Sequence, residues 1–193
     1  WLNNGQGNGD TETGAYTLDG YNGADGHTIQ RNANWKWAVT SEDEWYKAAY
    51  YKGGGTNADY WDFPTQSDSV PGRSLIGTND ANYYTNDYLD PIHYRNEVGA
   101  FGNSESAYGT FDQGGNIFEW NEAVVYQASR GLRGGSFVNG VYDLHAWTRS
   151  VSEVPTNESY QNGFRVASVP EPSSIIALLG GLGSLLAFRR HKA

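Results

Sequence analysis

The sequence predicts an α+β fold with few helices, short antiparallel strands and much irregular loop. Glycine fills 25 of 193 positions, about twice the usual share, so the backbone turns often. Aromatic residues make up 15% of the chain, and large rings can pin such a backbone by burying much apolar area. Only one segment carries a full helix signature, and the remaining apolar patterns are strand-short.

Residues 5–34 are rich in Gly, Asn, Asp and Thr, with no surviving apolar period. They read as a long surface loop with a short hairpin around Tyr16 to Leu18. Residues 34–39 alternate around Trp35 and Trp37 and read as a short strand. Residues 41–52 form the helix. Ser41 caps it, Glu44 completes a capping box, and Gly53 stops it. Trp45, Ala48, Ala49 and Lys52 share one side, marking a scaffold helix.

Residues 53–77 are broken by Pro64, Pro71 and glycines, with Tyr60-Trp61-Asp62-Phe63 as an aromatic anchor. The tyrosine-rich loop 79–96, NDANYYTNDYLDPIHYRN, is long enough to need something that ties it down, such as an ion. Residues 132–137 and 141–144 read as strands paired around Asn139-Gly140, a favoured hairpin dipeptide. Residues 163–169 give a last strand, with Phe164 and Val166 on one face.

The net charge is −9, and it becomes −11 once Glu171 and the three bases of the last stretch are set aside. Such a surface repels phosphate backbones, which argues against nucleic acid and suits divalent cations or a cationic partner. There is no cysteine, so the chain can offer no disulfide, zinc–thiolate site or thiol nucleophile. The opening WLNNG reads like the end of a helix, which points to a domain truncated at its N-terminus.

Chemistry concentrates in GTFDQGGNIFEW at 109–120, echoed by RGLRGGSF at 130–137. Paired Gly114 and Gly115 allow a tight bend with carbonyls turned inward. Asp112, inward carbonyls and Glu119 would suit an oxygen-loving cation such as calcium. A tight turn whose acids face water fits the spacing as well, since no complete EF-hand loop is present. RGGSF is not a nucleophile elbow, and no phosphate-loop pattern occurs. Arg133 and Arg165 are expected to pair with carboxylates of the acidic domain.

Four ordered blocks resemble the formylglycine-generating enzyme family, also called sulfatase-modifying factor domains. They are SEDEWYKAAYYKGG, GTFDQGGNIFEW, RGLRGGSF and GFRVA. The resemblance covers residues 1–168 and implies a C-type-lectin-like fold. It also implies two calcium sites. One takes side chains of Asp112 and Glu119 with carbonyls of Gly115 and Ile117. The other takes Asn82 and Asp90 with carbonyls of Tyr83 and Ile92. The family's oxidase activity depends on two copper(I)-binding cysteines that fall here near Val141 and Ala146, within VYDLHAWTR. Neither position holds a thiolate, so copper and formylglycine formation are not expected. Some relatives bind iron through three histidines, but His27, His93, His145 and His191 are widely separated. Tyr142, His145, Trp147 and Arg149 line the expected pocket. A plain hydrogen-bonded histidine stays open for His145.

Residues 169–193 differ. Val-Pro-Glu-Pro leads into the apolar run 174–188 and then Arg189-Arg190-His191-Lys192. The run is shorter than the roughly 20 residues of a full span, yet its basic end marks a membrane-stop segment. The order resembles the PEP-CTERM sorting signal of exported bacterial proteins. That resemblance implies export across the inner membrane, anchoring, and cleavage by an exosortase, leaving the domain at the cell surface or outside it.

Three functions compete at this point. The first is a calcium-stabilised binding or structural module that has lost the copper cysteines, with a peptide, protein or polysaccharide ligand. The second is a formylglycine-generating enzyme, or a related metal-dependent oxidoreductase, with its chemistry elsewhere. The third is a membrane-anchored spacer.

Overall fold

The computed structural model describes residues 1–21, 26–56, 58–126, 129–150 and 153–169. The apolar run and basic end at 174–192 lie outside the described residues. Among those described, no helix is long and apolar enough to cross a membrane.

Strand β1 (Trp37–Val39) precedes helix α1 (Glu42–Tyr50). After a long irregular stretch come β2 (Phe118–Tyr126), β3 (Ser129–Arg133), a 3₁₀ turn (Val141–Leu144), β4 (Asn162–Phe164) and β5 (Val166–Ser168). Among the described residues, these strands form two small sheets: β1 with β5, and β3-β2-β4. β2 runs antiparallel to β3, with register shifts between Trp120 and Tyr126, and parallel to β4.

The helix carries its capping box as the sequence predicts. Ser41 Oγ accepts from the Glu44 N–H at 3.1 Å, and Glu44 Oε2 accepts from the Ser41 N–H at 2.7 Å. The helix ends at Tyr50, two residues before the expected end. The Lys52 N–H bonds the Asp59 carbonyl, and Tyr51 bridges Tyr60. Trp45, Ala49 and Tyr50 are fully buried and pack with Ala146. A neighbouring cluster joins Phe63, Ala81, Tyr83 and Leu144. The Tyr50 hydroxyl donates to the Leu144 carbonyl at 2.9 Å and ties the two clusters together.

Three expected elements differ. No strand forms around Tyr16 to Leu18, because Tyr16 serves instead as a side-chain partner for β1. The pairing of 132–137 with 141–144 is absent. The Asn139 side chain bonds back to Ser136, and Gly140 keeps φ −74°, so a left-handed hairpin turn does not form. β3 pairs with β2 instead. The last strand splits at Arg165. Phe164 joins β2 and Val166 joins β1, so the two side chains belong to different sheets.

β1 pairs with β5 along one edge only, and its opposite edge is closed by side chains. The Asn3 amide accepts from the Trp37 N–H at 3.1 Å and donates to the Trp37 carbonyl at 2.7 Å. The Tyr16 hydroxyl accepts from the Val39 N–H at 3.0 Å, and Arg31 Nη2 donates to the Val39 carbonyl at 2.7 Å.

Candidate functional site

The turn where the family's cysteines would fall is held rigidly. Arg133 Nη1 donates to the carbonyls of Ala146 and Thr148 at 2.9 and 2.6 Å, and Thr148 Oγ1 donates to the Tyr142 carbonyl at 2.6 Å. From this frame Tyr142 and Trp147 project outward, 73% and 72% exposed. The Trp147 indole lies flat on His145, with centroids 3.9 Å apart and planes 16° from parallel. His145 is largely buried. Its Nδ1 faces the Trp147 N–H at 3.4 Å, and its Nε2 points toward Asp62 Oδ1 at 3.5 Å. Phe63 meets the same imidazole edge-on at 5.1 Å. The structure therefore gathers Tyr142, His145 and Trp147 in one turn. Arg149 turns aside to Glu42 at 3.2 Å, which Arg133 also holds. Asp62, missed as a site residue, sits within the anchor Tyr60-Trp61-Asp62-Phe63, whose polar member was the available signal.

The oxygen-rich region divides. Glu119 is buried and both its oxygens are engaged: Arg165 donates to each, and the Trp45 indole N–H donates to Oε2 at 2.6 Å. Asp112, at φ +57°, accepts from the Gly99 N–H through Oδ2, while its Oδ1 is buried with no hydrogen-bond partner. The Gly115 N–H bonds the Gly134 carbonyl, and Gly115 bridges Asn82. Ile117 lies just before β2, against Gly163.

In the second set, Asn82 is buried, and its Oδ1 also lacks a partner. Tyr83 is buried, with its hydroxyl on the Pro71 carbonyl at 2.6 Å. Asp90 is satisfied within its own turn by the N–H groups of Ile92 and His93 and by the His93 ring. Those backbone N–H groups, followed by the ring, hold its pKa down at about 2. Ile92 is exposed. Asn96, missed in the sequence, has a buried Oδ1 without a partner. Asn116 joins it to Asn82: the Asn116 N–H bonds the Asn82 carbonyl, and its side-chain amide bonds the Asn96 backbone in both directions. The need for a tie in loop 79–96 was legible, but one amide among many asparagines was not. Among the described residues, no three His, Asp or Glu side chains gather as a metal cluster.

Residues 9–169 match the sulfatase-modifying factor enzyme 1-like domain. The chain belongs to the sulfatase-modifying factor family. Among solved structures, this sulfatase-modifying-factor domain is similar to Treponema denticola variable protein 1, with TM-score 0.53 and 24% identity over 77% of this chain and 54% of that one. It is also similar to CarF, with TM-score 0.46 and 18% identity over 75% and 52% of the two chains. The domain thus spans about half the length of each. No curated protein matches it. Among the described residues, the small sheets, single α-helix and long loops are those of the C-type-lectin-like sulfatase-modifying factor fold.

Proposed function

We propose that this sulfatase-modifying-factor domain is a ligand-binding module and not a formylglycine-generating oxidase. The reading is carried by the Trp147 indole, which offers one face to solvent while the other is stacked on an imidazole set between Asp62 and Phe63. A large ring fixed in advance loses little conformational freedom when a ligand settles on it, which favours binding. Tyr142, on the same turn, adds a second exposed ring. The copper-binding cysteines of the family have no counterpart anywhere in the 193 residues.

The module is stabilised by a hard divalent cation, calcium by preference. The donors that fit are the buried, unpartnered oxygens of Asn82, Asn96 and Asp112, since such atoms are costly unless something completes them. Glu119 and Asp90 already accept hydrogen bonds, so the unpartnered oxygens are the first donors to consider. The resemblance of residues 169–193 to a sorting signal supports export, exosortase processing and display at the cell surface.

The test is a peptide and glycan array probed with the chain and with Trp147→Ala. Retention of a ligand by the chain and its loss in the variant is the expected result. No ligand for either, or aldehyde formation on a cysteine-bearing sulfatase peptide, overturns the proposal.

A further inference from the structure

A second aromatic surface surrounds Phe137. That ring is buried. Tyr94 stacks on it with centroids 6.0 Å apart and planes 13° from parallel, and Tyr88 meets Tyr94 edge-on at 4.7 Å. Tyr84 packs on Tyr88 at 5.1 Å, and Tyr160 reaches Phe137 at 6.1 Å. The four tyrosines are 37% to 64% exposed. Among the described residues, no protein group is hydrogen-bonded to any of their hydroxyls. The rings therefore hold one another in place and leave faces and hydroxyls open.

Two observations say what such a surface takes. First, this fold repeatedly seats its own cations on aromatic faces: Arg31 lies 4.3 Å from the Trp35 centroid, Lys52 4.5 Å from Trp61, Lys47 5.3 Å from Tyr51 and Arg133 5.1 Å from Tyr46. None of the four tyrosines around Phe137 carries a cation of the described chain. Second, the charge is complementary to a cation. The chain carries a net −9, and the adjoining loop exposes Glu97, with Glu158 exposed two residues before Tyr160. Of the bases nearby, Arg73 is paired with Asp87 and His93 with Asp90, while Arg95 is bonded to the Tyr160 carbonyl at 3.2 Å and keeps a charge that Glu97 and Glu158 together outweigh.

We infer that the Tyr84, Tyr88, Tyr94 and Tyr160 surface docks a basic segment of a protein partner, with Arg or Lys side chains settling on the ring faces inside an acidic field. Cation–π attraction supplies the contact and long-range charge supplies the encounter. The inference rests on reading the chain as a binding module, and it adds a separate site and a ligand chemistry.

The experiment uses the full 193-residue chain and a dye-labelled decapeptide of alternating arginine and glycine, read by fluorescence anisotropy at near-physiological salt. A glutamate–glycine decapeptide and a soluble neutral glucan are the comparison probes. The arginine peptide is expected to bind and the other two are not. Tyr88→Leu with Tyr94→Leu keeps the net charge and the apolar bulk but removes the ring faces, and weakens binding about tenfold. Tyr88→Phe with Tyr94→Phe keeps the faces and stays within about threefold of the parent. If the leucine pair does not fold, Tyr84→Leu with Tyr160→Leu at the rim decides in the same way. An arginine peptide that binds the leucine variants as well as the parent, or that fails to bind the parent, overturns the inference, as does a glucan that binds and is lost in those variants. The array with Trp147→Ala reads the Trp147 ring and this titration reads the tyrosines, so a failure at Trp147 and a failure here are told apart.

Discussion

Arg165 reaches both carboxylate oxygens of Glu119, through Nε and Nη2, each at 2.5 Å. Arg165 is the single residue between β4 and β5, so this pair fixes the point where the chain leaves one sheet for the other. The Trp45 indole joins the same carboxylate from α1, so the pair also sets the helix against the sheet. Removing one partner of a buried pair strands the other charge, which costs about 3–5 kcal/mol. Arg165→Ala and Glu119→Ala should each lower urea-unfolding stability by that order. A loss below about 1 kcal/mol would remove Glu119 from this structural role.

The capping box makes a smaller, graded prediction. Ser41→Ala removes one cap and should cost about 1 kcal/mol. Glu44→Ala should cost more, because Glu44 also accepts from both terminal nitrogens of Arg31, at 2.9 and 2.8 Å. Equal losses in thermal unfolding would show that the Arg31 contact adds nothing.

Acid should weaken the fold through the same residue. Hydrogen bonds from Arg31, then the Ser41 N–H, hold the Glu44 carboxyl below its ordinary value against the opposing effect of burial. The folded chain therefore binds fewer protons than the unfolded chain near about pH 4.3, the unfolded value. This stabilisation is complete above that pH and is lost as pH falls through the lower folded value. Asp90, held down at about 2, acts in the same direction. Melting temperature should fall from about pH 5 to pH 3, with a shallower fall in Glu44→Gln. Parallel curves for the two proteins would contradict this.

Chelation probes the unpartnered oxygens. A cation present at a hundred times its Kd stabilises by about 2.7 kcal/mol, and for a domain of this size that is roughly 5–10 °C in Tm. EGTA should lower Tm by that amount in the parent and by much less in Asp112→Ala. An unchanged curve in the parent counts against the cation.

The glycine pair in the signature has a steric role that substitution can expose. Gly115 holds φ +73°, and a Cβ there would lie 2.0 Å from the Asn82 carbonyl oxygen. Gly115→Ala should cost about 3 kcal/mol or more in chemical denaturation. Gly140→Ala is the comparison: φ is −74° and no atom lies within 4 Å of its Cβ. It should stay within about 0.5 kcal/mol of the parent.

Local signals with one physical reading were legible in the sequence. Ser41 and Glu44 announced the helix, acidic surplus foretold the pairing of Arg133 and Arg165, and four ordered blocks pointed to the family. Signals that depend on distant partners were not legible. β2 was hidden because its register shifts interrupt the alternation that marks a strand. Asn139-Gly140 misled because a hairpin dipeptide says nothing about Ser136, which captures the asparagine side chain. Trp147 could be singled out within VYDLHAWTR, but its stacking depends on Asp62 and Phe63, more than 80 positions earlier. The tyrosines of loop 79–96 could be counted, but their convergence on Phe137 needed the fold.

The outward main-chain groups of β1 are already taken by Asn3, Tyr16 and Arg31, three side chains from the loop-rich first quarter of the chain. No neighbouring molecule can extend the sheet from that flank, because every docking point for a foreign strand is filled from within. A glycine-laden segment that looks like slack in the sequence thus acts as a guard against self-association.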